Sequence, residues 1–517
     1  MDIGYILRST RHKMGVIYRN RPALSLGETT LTYAELDRLT CRYAHALVAL
    51  GVKHGDRVAL MMYNAIDYAA LYFAITSIGA VCVRLNFRLG PDELRYMLND
   101  SGTRVLIADS DLIGVIDNAR AGTSVERFVF RSDDAPEWAS DRTALWSDQN
   151  TPPDLPIPDP QDPAMLMYTS GSTGPAKGVV WTHSMTMWFA ALQALRFRLT
   201  EDTVMMVTGP MYHVGGLENF ILGAMFVHGH GVVNPSRGFK AIEAMRSAER
   251  HRVTDVFMFS FTLVEVLQDP DVRDLTLKSI RTLRTGGTGI PTTAADDVQS
   301  LLPGVTLDFV YGMTEMGNTT TTRDDVTPET TPNMIGTMFQ GTETRVLGPD
   351  GTELDYEQEG EITVRSPAGA AGYWNRPEDS ASVFRDGWIA TGDLGIVDRQ
   401  GRLRLSGRAK DIVRTGGENV HPGEVESVLI VHPAVADVAV IGVPDPRLHE
   451  AICALVVVEP GADVTAEELI EFVRSKIASY KKPRHVVFVS SLPRNASGKL
   501  LKPQLRNEYA HIGTAGI

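Results

Sequence analysis

The sequence predicts an α/β fold, with a large N-terminal domain of doubly wound parallel sheets and a small α+β domain after it. Three observations carry this prediction. Between residues 57 and 108, apolar segments of strand length alternate with helical ones, as in parallel sheets with crossover helices. Between 336 and 406, short β-rich segments alternate with Gly, Pro and Asp turns, which favours a small antiparallel, β-barrel-like subdomain. Beyond about residue 410, helix and strand patterns predict a compact separate module.

The first parallel sheet is predicted element by element. Thr32 and Glu35 form a capping-box pattern ahead of a helix over residues 33–50, which Gly51 ends. The pattern then predicts strands and helices in alternation, with strands at 57–62, 81–85 and 104–108 and helices at 65–78 and 91–99. The next stretch, 151–163, has six prolines in thirteen residues. It is therefore predicted to be a surface connector, since prolines exclude a helix or a central strand.

The last module is also read from its pattern. It is predicted to contain helices at 422–431 and 466–478 and strands at 436–442, 452–458 and 485–489. The chain is therefore predicted to divide into a domain of residues 1–409 and a domain of residues 410–517.

Composition excludes several classes of protein. The 517 residues include 63 acidic and 50 basic side chains, and the net charge of -13 disfavours nucleic acid and anionic lipid as partners. The three cysteines are scattered without metal-ligand spacing, which fits a reducing, cytoplasmic location. The N-terminus lacks a signal-peptide core, and no apolar run reaches the length of about 18 residues that a membrane span needs.

One segment points directly to phosphate chemistry. The string YTSGSTGPAKGV, at 168–179, follows an apolar strand pattern. Its glycines let backbone N–H groups converge on an anion, its hydroxyls add donors and its lysine adds charge. The alternative is a flexible surface loop. A Walker A loop is excluded, because that pattern needs glycine at Ala176 and a hydroxyl residue at Gly178. The candidate phosphate ligands are Thr169, Ser170, Gly171, Ser172, Thr173, Gly174 and Lys177.

Further motifs follow in order: MYHVGG at 211–216, RTGGTG at 284–289, YGMTE at 311–315, TGDLG at 391–395, GRAKDIVRTGGENVHPGEVE at 407–426 and PRNASGKLLK at 493–502. With them the chain resembles, over essentially its whole length, the adenylate-forming superfamily. This superfamily includes acyl-CoA synthetases, the adenylation domains of nonribosomal peptide synthetases and the beetle luciferases. Within it, the chain looks like a bacterial acyl-CoA synthetase.

The resemblance implies a two-step ligase reaction that uses ATP, Mg²⁺ and CoA. A carboxylic acid first attacks the α-phosphate of ATP to give acyl-AMP and pyrophosphate, and the thiol of CoA then displaces AMP. An alternative within the superfamily is an enzyme that forms acyl-AMP but turns over CoA weakly and hands the acyl group to a carrier protein or partner enzyme. A kinase or ATPase and a non-catalytic nucleotide sensor are further alternatives. A homodimer is also open at the family level.

The resemblance assigns nucleotide-binding roles to several side chains. Asp393 would accept both ribose hydroxyls, as an ionised carboxylate can, and Arg408 would add a second ribose contact. Glu315 would hold Mg²⁺ through carboxylate oxygen, and Thr314 would donate to the α-phosphate. Without the family, each of these acidic or basic residues would be read as an ordinary loop or surface charge. The adenine loops are expected to include Gly287, Thr288, Tyr311 and Gly312, with Phe309 in place of the usual polar residue.

The C-terminal part receives its roles by resemblance as well. Lys499 is expected to reach the carboxylate and the α-phosphate during adenylation, where it would cancel developing charge. Lys410 falls at the hinge position, about which the C-terminal domain would turn between the two steps. Gly416 and Gly417 would then line the tunnel for the pantetheine arm of CoA.

The acyl pocket is expected around His213, Val214, Gly286 and Gly289. His213 is assigned to pocket lining, without a general-base role, although a core histidine is the simpler reading of the residue alone. Segments 181–197 and 217–233 are rich in Trp, Phe, Met and Leu, as an apolar pocket needs, but core helices explain that composition equally well. An apolar acid is therefore predicted, whether fatty, aryl or polycyclic.

Overall fold

The computed structural model describes residues 1–169, 175–286, 294–322, 334–494 and 500–514. The helices are α1 (Tyr5–Arg8), α2 (Tyr33–Ala49), α3 (Ile66–Ser77), α4 (Pro91–Ser101), α5 (Ile113–Arg120), α6 (His183–Phe197), α7 (Ile221–Phe226), α8 (Ala241–Arg250), α9 (Ser260–Gln268), α10 (Ala294–Leu301), α11 (Pro377–Val383), α12 (Pro422–Leu429), α13 (Ala466–Lys476) and α14 (Lys502–Tyr509).

The strands are β1 (Pro22–Leu26), β2 (Thr29–Thr32), β3 (Arg57–Met61), β4 (Val81–Arg84), β5 (Thr103–Ala108), β6 (Arg127–Phe130), β7 (Pro163–Thr169), β8 (Lys177–Thr182), β9 (Val204–Val207), β10 (His230–Val233), β11 (Asp255–Phe259), β12 (Thr282–Gly286), β13 (Thr306–Met313), β14 (Gly317–Thr321), β15 (Met334–Met338), β16 (Glu343–Leu347), β17 (Glu359–Arg365), β18 (Gly372–Tyr373), β19 (Phe384–Arg385), β20 (Trp388–Val397), β21 (Leu403–Arg408), β22 (Val413–Thr415), β23 (Glu418–Val420), β24 (Val435–Asp445), β25 (His449–Val458) and β26 (His485–Phe488).

The first sheet has the strand order β18-β8-β7-β4-β3-β5-β6. Its strands from β7 to β6 are parallel, and β8 and β18 complete one side in antiparallel pairing. The predicted strands and helices between residues 57 and 108 are confirmed to within two residues at each end. The capping box of Thr32 and Glu35 is present at the start of α2, as the sequence predicts.

The second sheet joins a parallel half to an antiparallel half. Strands β1, β10, β9, β11, β12 and β13 pair in parallel, and from β13 onward β14, β15, β21, β20, β17 and β16 pair in antiparallel fashion. The antiparallel half is the β-rich part predicted between 336 and 406. This arrangement confirms the α/β fold class.

Helix α3 lies in the core shared by the two sheets. All of its residues from Tyr68 to Thr76 are buried, as expected for a helix that is apolar on every side. The same apolar cluster includes Met165 of the first sheet and Val207 and Phe257 of the second. The two sheets therefore form one continuous core, and loops from both can contribute to a single site.

The C-terminal part has its own sheet, in the order β23-β22-β25-β24, with β26 parallel to β25. Helices α12 and α13 cover one face, whose apolar cluster includes Val425 and Val473, and α14 contributes Leu505 to the cluster on the other face. The predicted helices and strands of this module are confirmed. The hairpin of β22 and β23 was not predicted, because strands of three residues are too short to give a pattern.

A polar contact connects this C-terminal part to the second sheet, where His421 Nε2 lies 3.3 Å from Glu359 Oε1 of β17. Within the C-terminal part, Arg506 of α14 donates to Asp411 at 2.8 Å. Among the described residues, no helix combines the length and the apolar composition that crossing a lipid bilayer requires.

Candidate active site

Several predicted site residues lie where parallel strands end, the usual place for ligands in open α/β sheets. Thr169 ends β7, Gly286 ends β12, and Tyr311 and Gly312 lie near the end of β13. Trp181 of β8 donates from Nε1 to the carbonyl of Thr314 at 2.8 Å. This bond ties the turn after β13, in the second sheet, to the first sheet.

Glu315 lies in that turn and is 6% exposed. Its Oε1 accepts a hydrogen bond from the Tyr373 hydroxyl at 2.8 Å, and its backbone carbonyl accepts from Ala370 N at 2.8 Å. Burial, together with the adjacent Glu315 carboxylate, raises the pKa of Tyr373 well above its usual value. Tyr373 therefore stays protonated and can donate throughout the neutral range.

The Glu315 carboxylate fits a hard cation, because carboxylate oxygen is the ligand that Mg²⁺ prefers. Among the described residues, no group of three or more His, Cys, Asp or Glu side chains is placed to hold a metal ion. A cation at Glu315 would therefore complete its shell with phosphate and water oxygens, as Mg²⁺ commonly does.

Lys177 begins β8 directly opposite Thr169 in the strand register. Its Nζ lies 2.6 Å from Asp379 Oδ1 of α11 and 5.2 Å from the centre of the Tyr373 ring. Lys177 and Glu315 are thus linked through Tyr373, a contact that the sequence did not predict. The intervening phosphate-ligand candidates, Ser170, Gly171, Ser172, Thr173 and Gly174, lie outside the described residues.

Asp393 and Arg408 come together as directly opposed residues of β20 and β21. Arg408 Nε lies 2.6 Å from Asp393 Oδ1, and the Tyr311 hydroxyl donates to Asp393 Oδ2 at 2.7 Å. Burial and this carboxylate raise the pKa of Tyr311 well above its usual value, so the phenol stays a donor. The Asp393 side chain is 6% exposed, and its contacts from three strands fix its orientation.

Gly312 is required by the close approach of β13 and β14. A Cβ there would lie 2.1 Å from the Gly317 carbonyl oxygen, so any larger residue would push the hairpin apart. Gly286 is similarly constrained, with the Val310 carbonyl oxygen 2.5 Å from a Cβ. Packing between strands thus explains both glycines, independently of any ligand. The neighbouring candidates Gly287, Thr288 and Gly289 lie outside the described residues.

His213 begins a short turn of 3₁₀ helix over Val214–Gly216. Its Nδ1 accepts a hydrogen bond from Gly215 N at 3.0 Å, so the neutral ring carries its proton on Nε2. Burial, helped by the Arg84 charge, lowers the pKa of His213 to about 4. Such a neutral imidazole is a weak base at pH 7 and suits an apolar wall.

An aromatic row lies beside His213. The Phe259 ring meets the His213 ring edge to face at 5.7 Å and is stacked on Phe261 at 5.8 Å. Phe259 also packs on the backbone of Gly209 and Gly215, where added Cβ atoms would lie 2.1 and 2.5 Å from its ring. Phe261 is 55% exposed. The row therefore runs from the buried loop out to solvent.

A buried ion pair supports the same loop and is not predicted from the sequence. Arg84, at the end of β4, pairs with Glu218, and both side chains are 0% exposed. Arg84 also donates from Nη2 to the His213 carbonyl at 3.2 Å. The only signal in the sequence is an arginine inside the apolar string VCVRL, whose partner lies far along the chain.

The C-terminal candidates are placed differently. Lys410 is exposed in a short turn of 3₁₀ helix, Ala409–Asp411. Gly416 and Gly417 form the two-residue turn between β22 and β23, with φ of +61° and +89°, so the turn itself requires them. Lys499 lies outside the described residues, and its expected contact with the substrate stays a prediction.

Comparison with known proteins places this chain in a family. Residues 16–374 match the model of the AMP-binding enzymes, and residues 424–499 match the model of the AMP-binding enzyme C-terminal domain. A feruloyl-CoA synthase of an Amycolatopsis species is 36% identical, over 94% of this chain and 96% of its own. The long-chain-fatty-acid–CoA ligase FadD13 of Mycobacterium tuberculosis is 33% identical, over 93% of this chain and 94% of its own.

Among solved structures, the anthranilate CoA ligase AuaEII in complex with anthranoyl-AMP superposes with a TM-score of 0.90 at 26% identity. The match covers 100% of this chain and 98% of that one. The chain therefore belongs to the AMP-binding enzymes of the adenylate-forming superfamily, and it is an AMP-forming acid–thiol ligase of the acyl-CoA synthetase kind.

Proposed function

We propose that this ligase activates an apolar carboxylic acid with Mg-ATP and transfers the resulting acyl group from AMP to CoA. The observation that carries the proposal is one short segment, YGMTE, that serves two sides of a nucleotide. Tyr311 orients the Asp393–Arg408 pair, which suits a ribose, and Glu315, four residues later, presents a buried carboxylate that suits a phosphate-bound cation.

In the first step the protein contributes position and charge. Asp393 accepts the ribose hydroxyls, Thr314 donates to the α-phosphate, and Lys177 and Lys499 supply positive charge. Mg²⁺, when bound at Glu315, neutralises phosphate charge that would otherwise repel the attacking carboxylate. The carboxylate of the substrate is itself the nucleophile, so no side chain has to form a covalent intermediate.

The residues that favour an apolar acid lie in and beside the loop that contains His213. Most side chains of α6 and α7 are buried in the common core, so folding alone explains their apolar composition. The neutral His213 ring and the Phe259–Phe261 stack remain as the apolar surface next to the site. The feruloyl-CoA and long-chain relatives show that acids of both kinds are handled within the family, so we propose the apolar class without a single acid.

The two half-reactions are proposed to use two placements of residues 410–517 against residues 1–409, with a hinge near Lys410. The exposed position of Lys410, between β21 and β22, supports this boundary. In the second placement the Gly416–Gly417 turn would face the acyl-adenylate and guide the pantetheine arm.

Mass spectrometry of the products tests the proposal. The enzyme is incubated with Mg-ATP and fatty, aryl and polycyclic acids, each with and without CoA. Acyl-CoA and AMP from one apolar class are expected, and acid-dependent exchange of labelled pyrophosphate into ATP should proceed without CoA. Acyl-AMP that accumulates despite CoA would instead indicate transfer to a carrier protein or partner enzyme. ADP as the product, or no turnover of any acid, would refute the proposal.

A further inference from the structure

Asp379, an acidic side chain that has no assigned role so far, pairs with Lys177. Asp379 Oδ1 lies 2.6 Å from Lys177 Nζ, and the two side chains are 40% and 29% exposed. Their residues are 202 positions apart in the sequence, so the contact is made by the fold and not by a local turn. The pair is close enough to orient the ammonium and open enough to exchange with another anion.

The surroundings of the pair limit where the ammonium can go. The Tyr373 ring lies on another side of Lys177, 5.2 Å from Nζ, and the Tyr373 hydroxyl is engaged with Glu315. A lysine ammonium has three donors, and Asp379 takes one of them. Lys177 is thus held between a carboxylate and an aromatic face beside the carboxylate proposed for Mg²⁺.

We propose that Asp379 is a positioning residue that competes with the triphosphate of ATP for the Lys177 ammonium. In the free enzyme the Asp379 carboxylate balances the positive charge of the Lys177 ammonium. When ATP binds, phosphate oxygen replaces the Asp379 carboxylate as the partner of this ammonium. ATP affinity is therefore set partly by an internal competitor. This inference rests on the proposed nucleotide site, since Lys177 must meet the phosphates for the competition to exist.

The competition makes a directional prediction. Asp379→Asn keeps the shape of the side chain and removes its charge, so the triphosphate no longer has to displace a carboxylate. The Kd of Mg-ATP should fall by about two- to fivefold, as expected for a partly exposed ion pair. The Kd of adenosine, which has no phosphate to compete, should not change.

The charge-matched control is Glu378→Gln. Glu378 is the neighbouring acid on α11 and is exposed, so its removal changes the net charge equally without freeing Lys177. Binding is measured by titration calorimetry on the full chain without acid or CoA, so it does not depend on turnover. In a Lys177→Met background, Asp379→Asn should no longer tighten ATP binding, which isolates the pair.

The outcomes separate this inference from the proposed function. Tighter ATP binding in Asp379→Asn but not in Glu378→Gln supports the competition. If the asparagine variant folds poorly, Asp379→Ser should show the same tighter binding. An unchanged or higher Kd for ATP, or an equal fall in Glu378→Gln, would overturn it. A wild-type protein that binds Mg-ATP but ligates no acid would refute the proposed function and leave the binding test intact.

Discussion

Two ion pairs among the candidate site residues and their neighbours differ in burial. Arg84 and Glu218, beneath the His213 loop, are 0% exposed, whereas Lys177 and Asp379, beside the glycine-rich segment, are 29% and 40% exposed. A sealed pair cannot exchange with a ligand, because removing either partner leaves a charge in a medium of low dielectric constant. In a partly exposed pair, a ligand can replace one partner at a small cost in free energy. The proposed acyl side, around His213, thus contains a fixed ion pair, and the proposed phosphate side, around Lys177, contains an exchangeable one.

The largest effect should come from breaking the sealed pair. Glu218→Ala is expected to lower the free energy of unfolding by about 3 to 5 kcal/mol, because Arg84 is left buried without its partner. Urea denaturation measures the change. The control is Glu243→Ala, which removes a surface partner of Lys240 and should cost less than about 1 kcal/mol.

A double substitution sharpens the same point. Arg84→Met combined with Glu218→Leu replaces the charges by apolar groups, and it should restore much of the stability lost in Glu218→Ala. If the double variant is less stable than the single one, the pair contributes more than mutual neutralisation. If Glu218→Ala is as mild as Glu243→Ala, the contrast between the two regions is wrong.

The next effect concerns the Mg²⁺ that we propose to bind at Glu315. Tyr373→Phe removes the hydrogen bond to Glu315 without removing the ring, and loss of such an outer partner weakens metal binding by about 10- to 100-fold. The Mg²⁺ concentration needed for half-maximal pyrophosphate exchange should rise accordingly, while the KM of the acid stays constant. An unchanged Mg²⁺ requirement would show that Glu315 does not hold the cation. Tyr356→Phe, on an exposed tyrosine away from the site, is the matched control.

The acyl side also predicts a pH dependence. The pKa of His213 is lowered from 6.5 to about 4, so between these values the unfolded chain binds a proton that the folded chain does not. The contribution of His213 to the free energy of unfolding is therefore fully present above about pH 6.5. It is lost as the pH falls toward 4, which lowers the free energy of unfolding by about 2 to 3 kcal/mol. His183 and His230, whose pKa values burial also lowers to about 4, act in the same direction.

His213→Gln should flatten part of this acid limb. Denaturant unfolding from pH 4 to 8 measures how the free energy of unfolding depends on pH. The control is His12→Gln, which changes an exposed histidine and should give the same pH profile as the wild type. An acid limb that is identical in His213→Gln and the wild type would mean that folding does not lower the pKa of His213.

These regions also differ in what the sequence could predict. Local patterns were sufficient for α2 with its capping box and for the strands from β3 to β5. Family motifs selected Tyr311, Asp393 and Arg408, and the structure brings these three side chains into contact. Their roles toward the nucleotide stay predictions, as do those of Lys410 and Lys499.

Long-range pairing escaped prediction on both sides of the site. Nothing near Lys177 in the sequence indicates Asp379, and nothing near Arg84 indicates Glu218, because the fold joins segments whose local patterns carry no information about each other. For the apolar segments at 181–197 and 217–233, the sequence pattern was clear but was compatible with two different roles. Pocket walls and core helices need the same residue types, so composition could not tell them apart.

The smallest effect tests the aromatic row at the edge of the acyl side. Phe261 is stacked on Phe259 and is 55% exposed, so its outer face is available to a substrate ring. Phe261→Leu keeps an apolar surface and removes the stacking, which is worth a factor of about two to ten. The kcat/KM for an aryl acid should fall by that factor, and the value for a saturated fatty acid with the same number of carbons should stay unchanged. Leu195→Ala, on the exposed face of α6, is the control. An equal loss for both acids would mean that Phe261 supplies general packing, and the fixed acyl side would then select acids by size and not by ring.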